Sequence, residues 1–149
     1  MVPNDAKSSF YEVLQTYNQN KSEANFANVI LQAWMLVETY VNRLYLKELG
    51  VPPDTAEKNY DNLIDVLEGI SFEQKRQFLI KSKSLTKQEA EAICTFQHER
   101  NRLFHASKKN DVLSTLFMRH LQEPVVEKAK NAFDAVWEAI HRAYNINCG

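Results

Sequence analysis

At 149 residues and 17.3 kDa, the chain has room for one domain around one core rather than two. Hydrophobic residues make up 44% and charged residues 25% of it, the balance of an ordinary globular protein. Its 3 Gly and 4 Pro fall well below the roughly 12% those two types usually supply, which excludes an all-β chain of many hairpins. The net charge of −1 excludes a wholly basic nucleic-acid coat protein. No run of about 18 apolar residues occurs, which predicts no membrane-spanning helix, and the stretch from Met1 to Ser9 lacks a basic-then-apolar leader layout. Two cysteines, Cys94 and Cys148, are too few for a disulfide framework. Together these features predict a soluble, cytoplasmic, all-α protein with a single helical domain over 1–149.

The periodicity predicts five helices, with a candidate sixth. The first covers Ser8 to Gln19, where Phe10, Val13, Leu14 and Tyr17 recur at helical spacing. Ser22 is placed to cap a second helix that runs to Leu49, where Gly50 supplies the C′ residue and Pro52-Pro53 prevents continuation. A shorter helix is predicted over Tyr60–Glu68, and another from Phe72 to about Lys81 after Ser71. Thr86 and Glu89 form a capping-box pattern that opens a helix reaching about His105. The polar break Ser107-Lys108-Lys109-Asn110 follows. Residues Asp111 to His120 are the candidate sixth helix. Pro124 at the first helical position starts the last one, with Val126, Ala129, Phe133, Val136, Trp137, Ile140 and Ala143 on one side. Long helices and short connections predict an antiparallel bundle of about five to six helices.

Charge is unevenly spread. Between Gln74 and Lys109 nine Lys/Arg stand against three acids, a surplus of six that is either a basic patch or a set of solvated helix faces.

Two helices place polar groups on apolar sectors. On the second, Phe26, Ile30, Ala33, Val37, Tyr40 and Leu44 form one apolar face, and Leu31, Trp34, Met35, Tyr45 and Leu49 form another. Glu38 and Asn42, one turn apart, sit within that second sector. Apolar residues on two sides predict a central helix or a subunit interface. Either Glu38 is shielded and needs a cationic partner, or the helix is rotated enough to wet it. On the helix from Thr86, Ala90, Ile93, Phe96, Gln97 and Phe104 mark the inward side, and Arg100 projects within that sector. Such an arginine either snorkels to the surface or is held as a fixed cation. Glu38 is its expected partner.

From Arg100 the chain reads Arg100-Asn101-Arg102-Leu103-Phe104-His105, an R-x4-H pattern at a helix end with Asn directly after the Arg. This resembles the HEPN superfamily of helical-bundle domains, whose signature is R-x4–6-H with a polar residue after the Arg. The segment Val37-Glu38-Thr39-Tyr40-Val41-Asn42-Arg43-Leu44 is similar to the Glu-containing second-helix segment of many members. The resemblance implies a metal-independent endoribonuclease acting as a homodimer without cofactors. It makes Arg100 and His105 the catalytic pair and Asn101 an orienting residue, with Glu38 and Asn42 in support. It also implies RNA substrates such as tRNA or mRNA, a toxin, stress or defence role, and an antitoxin or regulatory protein as partner.

The chemistry suits those residue types. Cleaving RNA through its 2′-OH needs a base, an acid and a cation for the phosphorane. A histidine with an ordinary pKa of roughly 6.5 serves either proton role near neutrality, and arginine's planar donors match phosphate oxygens. One motif offers one histidine, and a two-fold dimer would supply the second. Residues five apart, however, lie about 140° from one another on a helix and some 7.5 Å along it. Arg100 and His105 therefore reach one phosphate only through arginine's length, a helix distortion or a contribution across the dimer. His98, Arg102 and His105 share a face, which makes His98 and Arg102 candidate RNA contacts, with Lys108 and Lys109 beyond the helix end.

The sequence departs from the family pattern at Ser107, where members paired with a nucleotidyltransferase often carry a modifiable Tyr, and at Ala106, where Gly is common. Cys94 and His98, one turn apart, are half of a metal site or a structural helix thiol and its neighbour, and no second Cys/His pair at usable spacing predicts a metal. Two function classes follow: an RNA-cutting enzyme, or a non-catalytic helical dimer that binds RNA, a nucleotide or a protein and uses Arg100 structurally.

Overall fold

The computed structural model describes residues 4–106 and 119–145, with side chains from 6 to 103 and from 122 to 144. Among these residues there are seven helices and no strand: α1 (Asn4–Gln19), α2 (Glu23–Glu48), α3 (Pro53–Lys58), α4 (Tyr60–Glu68), α5 (Phe72–Lys81), α6 (Lys87–Ala106) and α7 (Arg119–Asn145). None of them is long and apolar enough to cross a membrane. The all-α expectation is met. The candidate helix over Asp111–His120 falls almost wholly on residues 111–118, outside the described residues.

The helix ends follow local chemistry. Ser22 accepts the Asn25 N–H at 3.1 Å and caps α2. Both Ser71–Gln74 and Thr86–Glu89 close as reciprocal capping boxes at the starts of α5 and α6. Helix α2 stops at Gly50 (φ 85), with the Gly50 N–H on Lys47 O and the Val51 N–H on Leu46 O, both at 3.0 Å. That is the two-bond helix stop that a left-handed residue permits. Lys83 (φ 65) takes the equivalent place after α5, its N–H on Ile80 O at 3.1 Å. A side chain there is strained in a way that glycine is not.

Three boundaries depart from the sequence reading. Helix α1 begins at Asn4 rather than Ser8. Pro53–Lys58 forms a short helix where only a break was expected, because Pro53 stands in the first helical turn, where its missing N–H costs nothing. Pro124 lies inside α7, which already starts at Arg119. A proline six residues into a helix removes one bond near the end, and tertiary contacts hold this turn in place. Gln122 is fully buried and accepts from the Tyr17 hydroxyl at 3.2 Å, Val125 and Val126 enter the core, and Lys21 pairs with Glu123.

The main core is shared by α1, α2, α6 and α7. Phe10 stacks on Phe133 at 4.5 Å and Tyr17 meets Gln122, so α1 runs antiparallel to α7. Tyr40 packs on Trp137 and Lys47 lies over Tyr144, so α2 and α7 run parallel. Lys128 pairs with Glu99 and Arg142 with Glu89, so α6 is antiparallel to α7. The Tyr11 hydroxyl donates to Asp134 Oδ1 at 2.7 Å. Burial and that carboxylate push its pKa up to about 12. A second, smaller core of Leu46, Ala56 and Leu67 joins α3 and α4 to the end of α2. Helix α5 covers the outer side of α2, with Phe72 on Trp34 and Phe78 on Tyr45.

Candidate functional site

Arg100 and Asn101 are half-buried on α6. The Arg100 guanidinium lies over the Trp34 ring of α2, 4.9 Å from its centroid, and its Nη1 donates to Asn101 Oδ1 at 3.1 Å. Trp34 is itself fixed between Phe72 of α5 at 5.1 Å and Phe96 of α6 at 6.1 Å. Three helices thus place one cation. An indole face attracts a guanidinium through its quadrupole, and the group's donors lie in its own plane, suited to phosphate oxygens. Of the two readings of Arg100, snorkelling and fixation, this geometry is fixation.

The expected Glu38 partnership is not the one formed. Glu38 is exposed rather than shielded, and no ion pair joins it to Arg100 among the described residues. Its sector of α2 is only partly covered, with Leu31 69% and Met35 53% exposed. The helix is rotated so that α5 shelters Trp34, Asn42 and Tyr45 but leaves Leu31, Met35 and Glu38 in water.

Asn42 belongs to a separate cluster. It is 2% exposed, accepts from Lys75 Nζ at 2.7 Å and donates to the Tyr60 hydroxyl at 3.4 Å. Eight residues along α2 from Trp34, it is about 12 Å from the Arg100 contact. Lys75 is 5% exposed, and burial pushes its pKa below the ordinary lysine value while the Glu38 and Glu68 charges oppose that shift. Sequence reading missed this lysine and gave Asn42 a place at the Arg100 site. The signal was present: Lys75 stands in the Phe72–Leu79 row of α5, at a spacing that faces the core.

The remaining candidates divide similarly. Arg102 is paired with Glu99 at 2.5 Å, and Glu99 also holds Lys128 at 2.8 Å, so Arg102 serves a surface ion network. His98 is exposed, with its Nε2 3.7 Å from Cys94 Sγ. The His105 backbone lies in the last turn of α6, while its side chain, Lys108 and Lys109 lie outside the described residues, as do Ser107 and Cys148. Among the described residues no group of three or more His, Cys, Asp or Glu side chains is placed to hold a metal ion.

Arg142 and Glu89 fix the start of α6. Arg142 Nη2 and Nη1 meet Glu89 Oε1 and Oε2 at 2.6 and 3.0 Å, and Nη2 also donates to Ser84 O at 2.9 Å. Burial pushes the Glu89 carboxyl up, but the hydrogen bonds from Arg142 and Thr86 outweigh it and hold the pKa below the usual carboxylate value. Comparison of the chain with protein-family models, with curated proteins and with solved structures finds no match.

Proposed function

We propose that the chain is a metal-independent endoribonuclease of the HEPN type, cutting RNA as a homodimer with Arg100, Asn101 and His105 at its site. The observation that carries this reading is the guanidinium of Arg100, positioned by Trp34 and Asn101 beside the turn that bears His105. In this reading Arg100 stabilises the phosphorane charge. The His105 copies of two protomers share the base and acid roles, and Asn101 orients the guanidinium. The exposed Leu31 and Met35, one turn apart on α2 beside Trp34, support a second copy as partner, since adjoining exposed apolar side chains mark interaction surfaces. A toxin, stress or defence role on tRNA or mRNA, under an antitoxin or other regulatory protein, belongs to the same proposal.

A mixed RNA pool incubated with EDTA tests it. Wild type is expected to leave 2′,3′-cyclic phosphate ends, and Arg100→Ala and His105→Ala to remain folded and lose cutting. Equal cutting by wild type and His105→Ala would sink the assignment. The second reading, a non-catalytic helical dimer that binds RNA, a nucleotide or a protein, is favoured by the engagement of Arg102 with Glu99 and of His98 with Cys94, which leaves fewer groups for an RNA strand. Unfolding of Arg100→Ala, with no cutting by the wild type, would support it.

A further inference from the structure

We propose that the cavity between the ends of α2, α5 and α7 is a binding site for a phosphate monoester group. It has a volume of about 190 Å³ and is lined by Lys47 of α2, Lys83 of the α5–α6 connection and Arg142 of α7, with Glu48 as the one acid on its wall. A water needs only about 10–15 Å³ of such space, so a group of five heavy atoms has room.

The charges on the wall are unevenly met. Arg142 is held by both oxygens of Glu89 and by Ser84 O, so it is fixed in place and neutralised. Among the described residues neither Lys47 nor Lys83 forms an ion pair. Like charges that converge on one concavity repel one another, and a cleft lined by one sign of charge concentrates the opposite ion. Two hydroxyls join them. Ser84 donates to Glu48, and Ser82 donates to Ser84 Oγ at 3.2 Å or to Leu79 O at 3.3 Å. Hydroxyl protons rotate, so both can turn toward an oxyanion in the cavity.

The backbone at Lys83 is the second observation. At φ 65 it holds a side chain where glycine is at ease, and such strained residues cluster at ligand clamps. Glycine would relieve the strain and forfeit the charge at the cavity. The donor set favours phosphate over carboxylate. A carboxylate is best met by an arginine fork, and the fork of Arg142 is taken by Glu89, whereas lysine binds phosphate as a point charge.

The cavity is separate from the Arg100 site. Glu89, gripped by Arg142, stands eleven residues before Arg100 on α6, about 16 Å away. A phosphate in the cavity joins α2, the α5–α6 connection and α7, and stabilises the folded chain by mass action.

Calorimetric titration of the full chain with inorganic phosphate, at an ionic strength held constant with sodium chloride, reads the site. Expected is one saturable phosphate per chain. Lys47→Gln and Lys83→Gly should each weaken it roughly tenfold or more, the effect of losing one charge-assisted hydrogen bond. Glycine suits the backbone at position 83, so binding lost there is not folding lost. Lys130→Gln changes the net charge equally but lies about 18 Å along α7 from Arg142, and should bind as the wild type does. No saturable binding by the wild type, or equal weakening in all three variants, would overturn the proposal. Adenosine 5′-monophosphate in the same assay separates the two sources of the group, and both outcomes uphold the phosphate site. Tighter binding than inorganic phosphate assigns it to a nucleotide, and equal or weaker binding assigns it to the free ion. These readouts are independent of RNA cleavage.

Discussion

Arg142, near the end of α7, grips Glu89 at both carboxylate oxygens, and Glu89 is the same residue that closes the capping box with Thr86. One carboxylate thus terminates the backbone of α6 and ties that terminus to the last helix. The helix carrying Arg100 is anchored at its opposite end.

That dual role predicts acid sensitivity. The Glu89 pKa is lowered in the folded chain, so its contribution is fully present above the unfolded value of roughly 4.3. It is lost as pH falls through the folded value. Glu89→Gln should cost about 1–2 kcal/mol at neutral pH, between the ranges for exposed and buried pairs. The gap between the two proteins' urea midpoints should close as pH drops below about 4. A gap constant down to pH 2 would contradict the assignment.

Lys75 predicts a slope of the same sign in a more alkaline window. Its folded pKa is lowered by burial, so between the folded value and about 10.4 the unfolded chain holds more protons and stability rises with pH. Stability of wild type relative to Lys75→Met, followed by urea denaturation from pH 7 to 9.5, should increase with pH. Asn42→Ala removes the acceptor at 2.7 Å and should cost about 2–3 kcal/mol, since it strands a buried ammonium. If Asn42→Ala is neutral, the cluster is not holding α5 on α2.

Lys83 occupies a left-handed position at φ 65. Lys83→Gly should therefore raise stability by about 1 kcal/mol, where Gly at most other positions lowers it. Thermal denaturation gives the sign directly.

Trp34 is expected to act through Arg100. If the ribonuclease proposal holds, Trp34→Leu should slow cleavage roughly 3- to 30-fold, the equivalent of the ~0.7–2 kcal/mol that a cation–π contact supplies. Far-ultraviolet circular dichroism should be unchanged. An unaltered rate would mean that the ring does not position the guanidinium.

Much of this architecture was legible from residue patterns. Ser22, Gly50, Ser71 and Thr86 mark helix ends because capping is local chemistry, settled within four residues. Pro124 misled for the converse reason. Its local preference is for a helix start, and the long-range contacts of Gln122 with Tyr17 and of Val125 and Val126 with the core outweigh it. For the site, helical phase showed that Arg100 faces inward but not what it meets. The periodicity of α2 alone does not reveal how far α5 covers it. Trp34, one of the residues on the second apolar face of α2, proved to be Arg100's neighbour, whereas Glu38 and Asn42, adjacent on one helix, have opposite exposures.

Part of the basic surplus between Gln74 and Lys109 is committed within the fold, Lys75 beneath α2, Arg76 to Glu73 and Arg102 to Glu99, while Lys81, Lys83 and Lys87 are exposed. Cations held in this way displace few counterions from a polyanion. An RNA bound through Arg100 and one or two neighbours would lose about one to two powers of ten in affinity for a tenfold rise in salt, at about 0.7 per phosphate neutralised on single strands. Six freely available charges would lose about four. A salt dependence that shallow belongs to a protein that recognises one place on a folded RNA rather than one that coats a strand.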